Sequence, residues 1–286
     1  MAIETIIEKL TATWPLKRPE INRTKALFPW NETMEWDRFE KMALAGKRME
    51  GFCPICTKQT VFTDFNENLR ESGRCGNCGS FNRQRQLAFV LRQYMGLPSF
   101  GGFDRLANLK VYNSEATGAF HESLQKSLKD YTCSEFWGPE HISGALINGI
   151  RHEDLQKLSF ASDSLDLVLS SDVLEHMPDP YRAHSEIFRV LKAGGIHIFT
   201  VPYDSASIAD DIRAVLENGE VKALKPCLYH GDPVRPAEGI LVWTIFGLEM
   251  LVKMHTIGFD VEVLRVFEPK YGILGKGNLV FLAKKL

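Results

Sequence analysis

Four cysteines stand in two short pairs, Cys53-Pro-Ile-Cys56 and Cys75-Gly-Asn-Cys78, with eighteen residues between the pairs. Each pair turns two sulfurs toward one point, and the spacing is that of a four-cysteine Zn2+ site. Four thiolates complete a tetrahedral shell, so such an ion is structural and takes no part in catalysis. Gly76 and Gly79 let the backbone curl so that amides face the sulfurs, while Val61, Phe62 and Phe65 suit the small hairpins of a zinc ribbon. Disulfides are the less expected alternative, because Glu4 and Glu8 interrupt the apolar stretch an export signal needs. Cys133 and Cys227 have no partner at ligand spacing and read as small packed side chains. Other residues able to do chemistry are the carboxylates Glu115 and Glu135, the imidazole of His176, and a compact polar turn, Tyr229-His230-Gly231-Asp232-Pro233.

The elements that position these groups follow from periodicity. Leu165 to Leu169 is an apolar run broken by Asp166 and ending at Ser170, Ser171 and Asp172, which reads as a buried strand. A loop through His176 and Pro178 follows. Ala183, Ile187, Val190 and Leu191 then recur at helical spacing, and Gly194 and Gly195 are read as the helix stop before a strand from Ile196 to Val201. A strand, helix, strand unit of this kind makes a right-handed crossover in a parallel sheet, with ligands outside the carboxyl ends of the strands, here at Ser170 to His176 and Pro202 to Asp204.

The run DLVLSSDVLEHMPDPYRAHSEIFRVLKAGGIHIFTVP resembles the second half of a class I S-adenosylmethionine-dependent methyltransferase of the type 11 kind. That family carries a strand ending near LEH, a helix ending RVLKPGG and a strand ending in PY or PF; the main departure here is Ala193 in place of proline. The run CGSFNRQRQLAFVL also resembles the cysteine-rich prefix of some bacterial members. The resemblance implies an α/β, Rossmann-like seven-stranded sheet with helices on both faces, and S-adenosylmethionine as cofactor. Leu109 to Asn113 is then the first strand. Its turn keeps Gly118 alone of the usual glycines, Tyr112 replaces the acidic residue, and Glu115 is assigned to the cofactor's ammonium. Glu135 ends the second strand, where two acceptor oxygens match two ribose hydroxyls. Asp154 and Leu155 match the family positions that meet adenine, and Ser171 is assigned to the cofactor site, where with His176 and Tyr203 it bounds the space left for the acceptor. The mechanism implied is in-line displacement at the sulfonium methyl, with His176 as candidate general base or as a brace for its loop. An acceptor pocket is expected under an insert at about 203–245, lined by Tyr203, His230 and Asp232.

The 286 residues are enough for a sizeable core plus an appendage. The expected organisation is a helical segment over 1–50, a zinc ribbon and helix over 51–95, and the methyltransferase domain over 103–286. Within the first segment a helix from about Glu32 to Ala45 is expected, capped by Asn31; within the insert, Ser205 to Gly219 reads as helix and Leu224 to Glu238 as loop. With 44% hydrophobic and 24% charged residues the composition is that of a soluble globular protein, no segment is long enough to span a bilayer, and the cytoplasm is the expected location. The net charge of -2 gives no global attraction for nucleic acid, though residues 47–92 carry an excess of cations. The acceptor is expected to be a small molecule or glycan. Two further readings stand beside it, an RNA methyltransferase gripping its substrate through the ribbon and a non-catalytic binding protein.

Overall fold

The computed structural model describes residues 32–46, 48–98, 100–231, 239–275 and 278–286, with side chains from residue 38 onward. Residues 1–31, including the expected cap Asn31, and Asp232 lie outside the described residues. The described residues open with helix α1 (Glu32–Gly46), as its apolar spacing indicates. Strands β1 (Arg48–Phe52), β2 (Gln59–Thr63) and β3 (Arg74–Cys75) follow as an antiparallel sheet in that order, and helix α2 (Asn82–Tyr94) leads away from it.

A six-stranded sheet forms the centre. Its first strands are β4 (Lys110–Asn113), which precedes helix α3 (Gly118–Ser127), and β5 (Asp130–Cys133). A small hairpin, β6 (Leu146–Ile147) and β7 (Ile150–Arg151), separates these from β8 (Leu165–Ser171), helix α4 (Pro180–Val190) and β9 (Leu191–Thr200). The insert contributes β10 (Asp211–Ile212), β11 (Ala214–Glu217), β12 (Glu220–Ala223), β13 (Tyr229–His230), β14 (Ile240–Leu241) and β15 (Thr244–Ile245). Helix α5 (Leu248–Ile257) and strands β16 (Phe259–Arg265) and β17 (Leu279–Lys285) close the chain. The sheet order is β16-β17-β9-β8-β4-β5; the last four run parallel, and β17 is antiparallel to both neighbours. Where a seventh strand is expected beyond β5, the backbone makes a single parallel bridge between Glu135 and His152.

Two local expectations are corrected. Helix α4 ends at Val190, and Leu191 is already extended, paired with Leu165 across a register shift. Gly194 (φ +77°) and Gly195 therefore serve an irregular strand start, where a Cβ on Gly195 would lie 2.9 Å from the Lys192 carbonyl oxygen. The stretch from Ser205 to Gly219 is not helical. Asn218 and Gly219, both at positive φ, form the two-residue turn of the β11–β12 hairpin. An Asn-Gly pair is the strongest short hairpin signal, and here it outweighed the helical spacing.

One face of the sheet packs Leu167, Leu169, Ile198 and Leu282 against α2, α3 and the ribbon residues Ile55, Phe62 and Phe65, in one continuous core. The other face is covered by α4 and α5 through Ile187, Val190, Met250 and Met254. Among the described residues no helix is long and apolar enough to cross a membrane.

Candidate functional site

The turn after β4 lacks glycines at 114 and 116, and side chains hold it instead. Asn113 donates to the Glu115 carbonyl at 2.9 Å and to the Tyr131 hydroxyl at 3.0 Å. Glu135, at the end of β5, accepts the Ala116 N–H at 2.9 Å, so the carboxylate expected at the ribose also braces the neighbouring turn. Gly118 sits at φ +87° as the first residue of α3, and a Cβ there would lie 2.5 Å from the Gln84 side-chain nitrogen. Tyr112, in the usual acidic position, is fully buried and shares a 2.7 Å hydrogen bond with Ser134. Ser171 is buried at the carboxyl end of β8.

Arg83, at the start of α2, reaches this cradle from the cysteine-rich region. It donates to Glu71 at 2.7 Å, to the Ser171 carbonyl at 2.9 Å and to the Ser171 hydroxyl, and it lies 3.4 Å from Asp172 and 3.9 Å from Glu115. Arg70 pairs with Asp172 at 2.6 Å, and Thr200 donates to the same carboxylate at 2.9 Å. Burial pushes the Asp172 carboxyl up, but the two guanidiniums hold it below its ordinary value. Glu115 goes the other way. Burial raises it to about 7, with Arg83 opposing and Glu135, Asp172 and Glu71 adding to the rise.

Asp154 and Leu155 follow the bridge between Glu135 and His152 in the chain. Asp154 accepts the Gln156 N–H at 2.9 Å, closing its own turn, and its N–H donates to Ser143 at 3.0 Å; Leu155 is buried.

Just after Asp172, the turn Leu174–His176 and the insert meet. His176 donates Nδ1–H to the Leu241 carbonyl at 2.8 Å, which leaves Nε2 as the lone-pair nitrogen. His230 Nδ1 lies 3.2 Å from that Nε2 and 3.5 Å from Glu175 Oε1, while His176 Nε2 is 3.6 Å from the same oxygen. Glu175 is fully buried, and burial, reinforced by Asp172, pushes its carboxyl up to about 7. Tyr203 stands nearby in sequence on β9's exit, bridged to Phe246 and packed edge-on against Phe281 at 5.2 Å. Of the residues expected at the acceptor pocket the structure thus brings His176 and His230 together. Glu175 escaped the sequence reading because it looked like one letter of a family turn; its place between two imidazoles depends on the return of β13.

The four cysteine sulfurs lie within 4.8 Å of one another. The Sγ atoms of Cys53 and Cys78 are 3.7 Å apart and those of Cys56 and Cys75 3.9 Å, too far for a disulfide and close to the roughly 3.8 Å edge of a tetrahedron with Zn–S bonds of about 2.3 Å. The backbone turns of Thr57 N–H to Cys53 and Gly79 N–H to Cys75 curl each pair around that point. The donor set fits zinc, and all four positions of such an ion would be taken.

The cations of the preceding segment have internal duties. Arg85 donates to the carbonyls of Ser80 and Gly272 and lies 4.4 Å over the Phe62 ring; Arg92 donates to Pro54, Pro98 and Gly101. With Arg70 and Arg83 in ion pairs, four of the eight cations of residues 47–92 are engaged inside the protein.

A family profile described as a methyltransferase domain, type 11, matches residues 115–199. An uncharacterized methyltransferase of Mycobacterium tuberculosis is 46% identical over 116 residues, 40% of this chain and 46% of the relative. One of Mycobacterium marinum is 36% identical over 136 residues, 47% of this chain and 52% of that protein. The chain thus spans about half the length of these curated relatives. A crystal structure of an S-adenosylmethionine-dependent methyltransferase from Mesorhizobium loti superimposes with a TM-score of 0.42 at 17% identity, over 70% of this chain and 98% of that one. Residues 115–199 thus match the type 11 methyltransferase domain family, with a four-cysteine cluster ahead of the matched segment.

Proposed function

We propose that this chain transfers a methyl group from S-adenosylmethionine to a small-molecule or glycan acceptor. The observation that carries this reading is the convergence of Glu115, Glu135 and Ser171 at the carboxyl ends of β4, β5 and β8, in the segment that matches the family. S-adenosylmethionine, when bound, supplies an electrophilic sulfonium methyl. Glu115 takes the ammonium of its methionine portion. Glu135 keeps acceptor capacity for ribose hydroxyls beside its bond to Ala116, since an ionised carboxylate has about four lone-pair sites. Asp154 and Leu155 face adenine. The space bounded by Ser171, His176, Tyr203 and the insert takes the acceptor, and removal of its proton falls to the group around His176. Much of the rate acceleration is positional, because an in-line displacement needs the nucleophile held close behind the methyl carbon. The four cysteines hold one structural zinc, which shapes the ribbon that delivers Arg83.

Calorimetry with S-adenosylmethionine, followed by methyl transfer from labelled cofactor into cell extracts and identification of the labelled product, tests the reading. Binding and a discrete labelled product are expected; a chain that does not bind the cofactor sinks it.

A further inference from the structure

We propose that Glu175, His176 and His230 form a second metal centre, which takes one divalent first-row transition ion, with zinc the best geometric match, beneath the insert. The ligand atoms Glu175 Oε1, His176 Nε2 and His230 Nδ1 are separated by 3.2, 3.5 and 3.6 Å. Bonds of about 2.0–2.1 Å at tetrahedral angles place ligands roughly 3.3–3.4 Å apart, so one ion fits between all three.

Two independent features point to an ion. Glu175 is fully buried, and the two imidazoles stand 3.5 and 3.6 Å from its Oε1, longer than a well-formed hydrogen bond. A buried carboxylate is costly unless a cation or donors face it, and an ion at the centre of the cluster supplies that charge. His176 is also oriented as a ligand. Its Nδ1–H is given to the Leu241 carbonyl, which fixes the tautomer and aims the Nε2 lone pair inward, the arrangement that outer partners give metal-bound histidines. The third ligand is held by the insert. His230 pairs with Ile240 in the β13–β14 ladder, and the Trp243 N–H donates to the Glu175 carbonyl at 2.7 Å, tying the insert to the turn that carries both other ligands.

The site differs in kind from the cysteine cluster. Among the described residues three protein ligands meet here, which leaves a fourth position on an ion so held, and the His230 side chain is 42% exposed. Two imidazoles and one carboxylate with an open position are the donor set of catalytic centres. The role that follows rests on the methyl-transfer reading. The ion would lower the pKa of an acceptor hydroxyl. The hydroxyl proton leaves to solvent, its oxygen forms the new C–O bond with its own electron pair, and the C–S bond breaks with its pair going to sulfur.

The test is titration of Co2+ into the full chain purified with its ribbon zinc. One equivalent should be taken up with weak visible d–d bands and no thiolate charge-transfer absorption, and uptake should weaken at least tenfold in His230→Ala. Absence of cobalt uptake by the wild-type chain, charge-transfer absorption marking the cysteines as the site, or equal uptake by His230→Ala would overturn the proposal. His230→Ala is the deciding variant because its side chain is half exposed, whereas Glu175→Gln alters a fully buried group. S-adenosylmethionine affinity measured on the same preparation separates the two readings, since a chain that binds cobalt but not the cofactor retains the metal centre and loses the methyl-transfer role.

Discussion

Glu135 braces the turn by accepting the Ala116 N–H, and the proposed reading gives the same carboxylate a second duty at the ribose. Glu135→Ala is expected to weaken S-adenosylmethionine binding about ten- to a hundred-fold, or roughly 1.5–3 kcal/mol, measured by calorimetry; unchanged affinity would remove Glu135 from the site. Glu115 predicts a pH dependence. Burial raises its carboxyl to about 7, so the ligand-free chain holds a proton there that the unfolded chain has already lost. The contribution of this group to stability therefore falls as the pH rises from the ordinary carboxylate range to about 7, then levels off. Cofactor affinity moves in the opposite sense, because the ammonium needs the ionised form. Affinity should rise from pH 6 to 8 by up to about tenfold per unit, and Glu115→Gln should flatten that profile. A flat profile in the wild-type chain would dissociate Glu115 from the ammonium. The acidic character of Glu115 was legible in the turn after the first strand; its raised pKa was not, since that comes first from burial and then from Glu135, Asp172 and Glu71, against the opposing Arg83, all brought around it by separate parts of the chain.

At the scale of elements, helix α2 is the link between the cysteine-rich region and the cradle. Its first turn carries Arg83 to Ser171, Asp172 and Glu115, and Gln84 to Gly118. Arg83→Ala removes the cation that faces three carboxylates in a buried setting. It should cost on the order of 3 kcal/mol in a denaturant melt. It should also move the pH midpoint of cofactor affinity upward, because the charge opposing the Glu115 shift is gone. Retention of the wild-type midpoint would mean that Arg83 is a structural tie alone. The insert shows the opposite lesson for sequence reading. Its Asn218-Gly219 pair is a local hairpin signal, and the helical spacing of Ser205 to Gly219 misleads because a short hairpin with exposed residues on both strands needs no alternation of apolar side chains.

At the scale of the molecule, the ribbon is not a separate bead. Ile55, Phe62 and Phe65 share a core with Leu167, Leu169 and Ile198 of the central sheet. Zinc removal by a chelator, or Cys75→Ser, is therefore expected to lower the melting temperature of the whole chain in one transition, because metal binding at such sites is folding free energy. A calorimetric scan with an unchanged main transition would show that the sheet stands without the ribbon. Sequence by itself determined the parallel crossover, the zinc-type cysteine spacing, and the strand ends that carry Glu115, Glu135 and Ser171. These are written in local periodicity and in pairs of residues a few positions apart, where backbone geometry alone sets what can meet. Only the tertiary structure decided that Arg83 enters the cradle, that Glu175 is buried between two imidazoles, and that His176 meets His230 across 54 residues of chain. Those contacts depend on how the ribbon and the insert fold back over the carboxyl ends of the strands, and no local pattern encodes the path of a return.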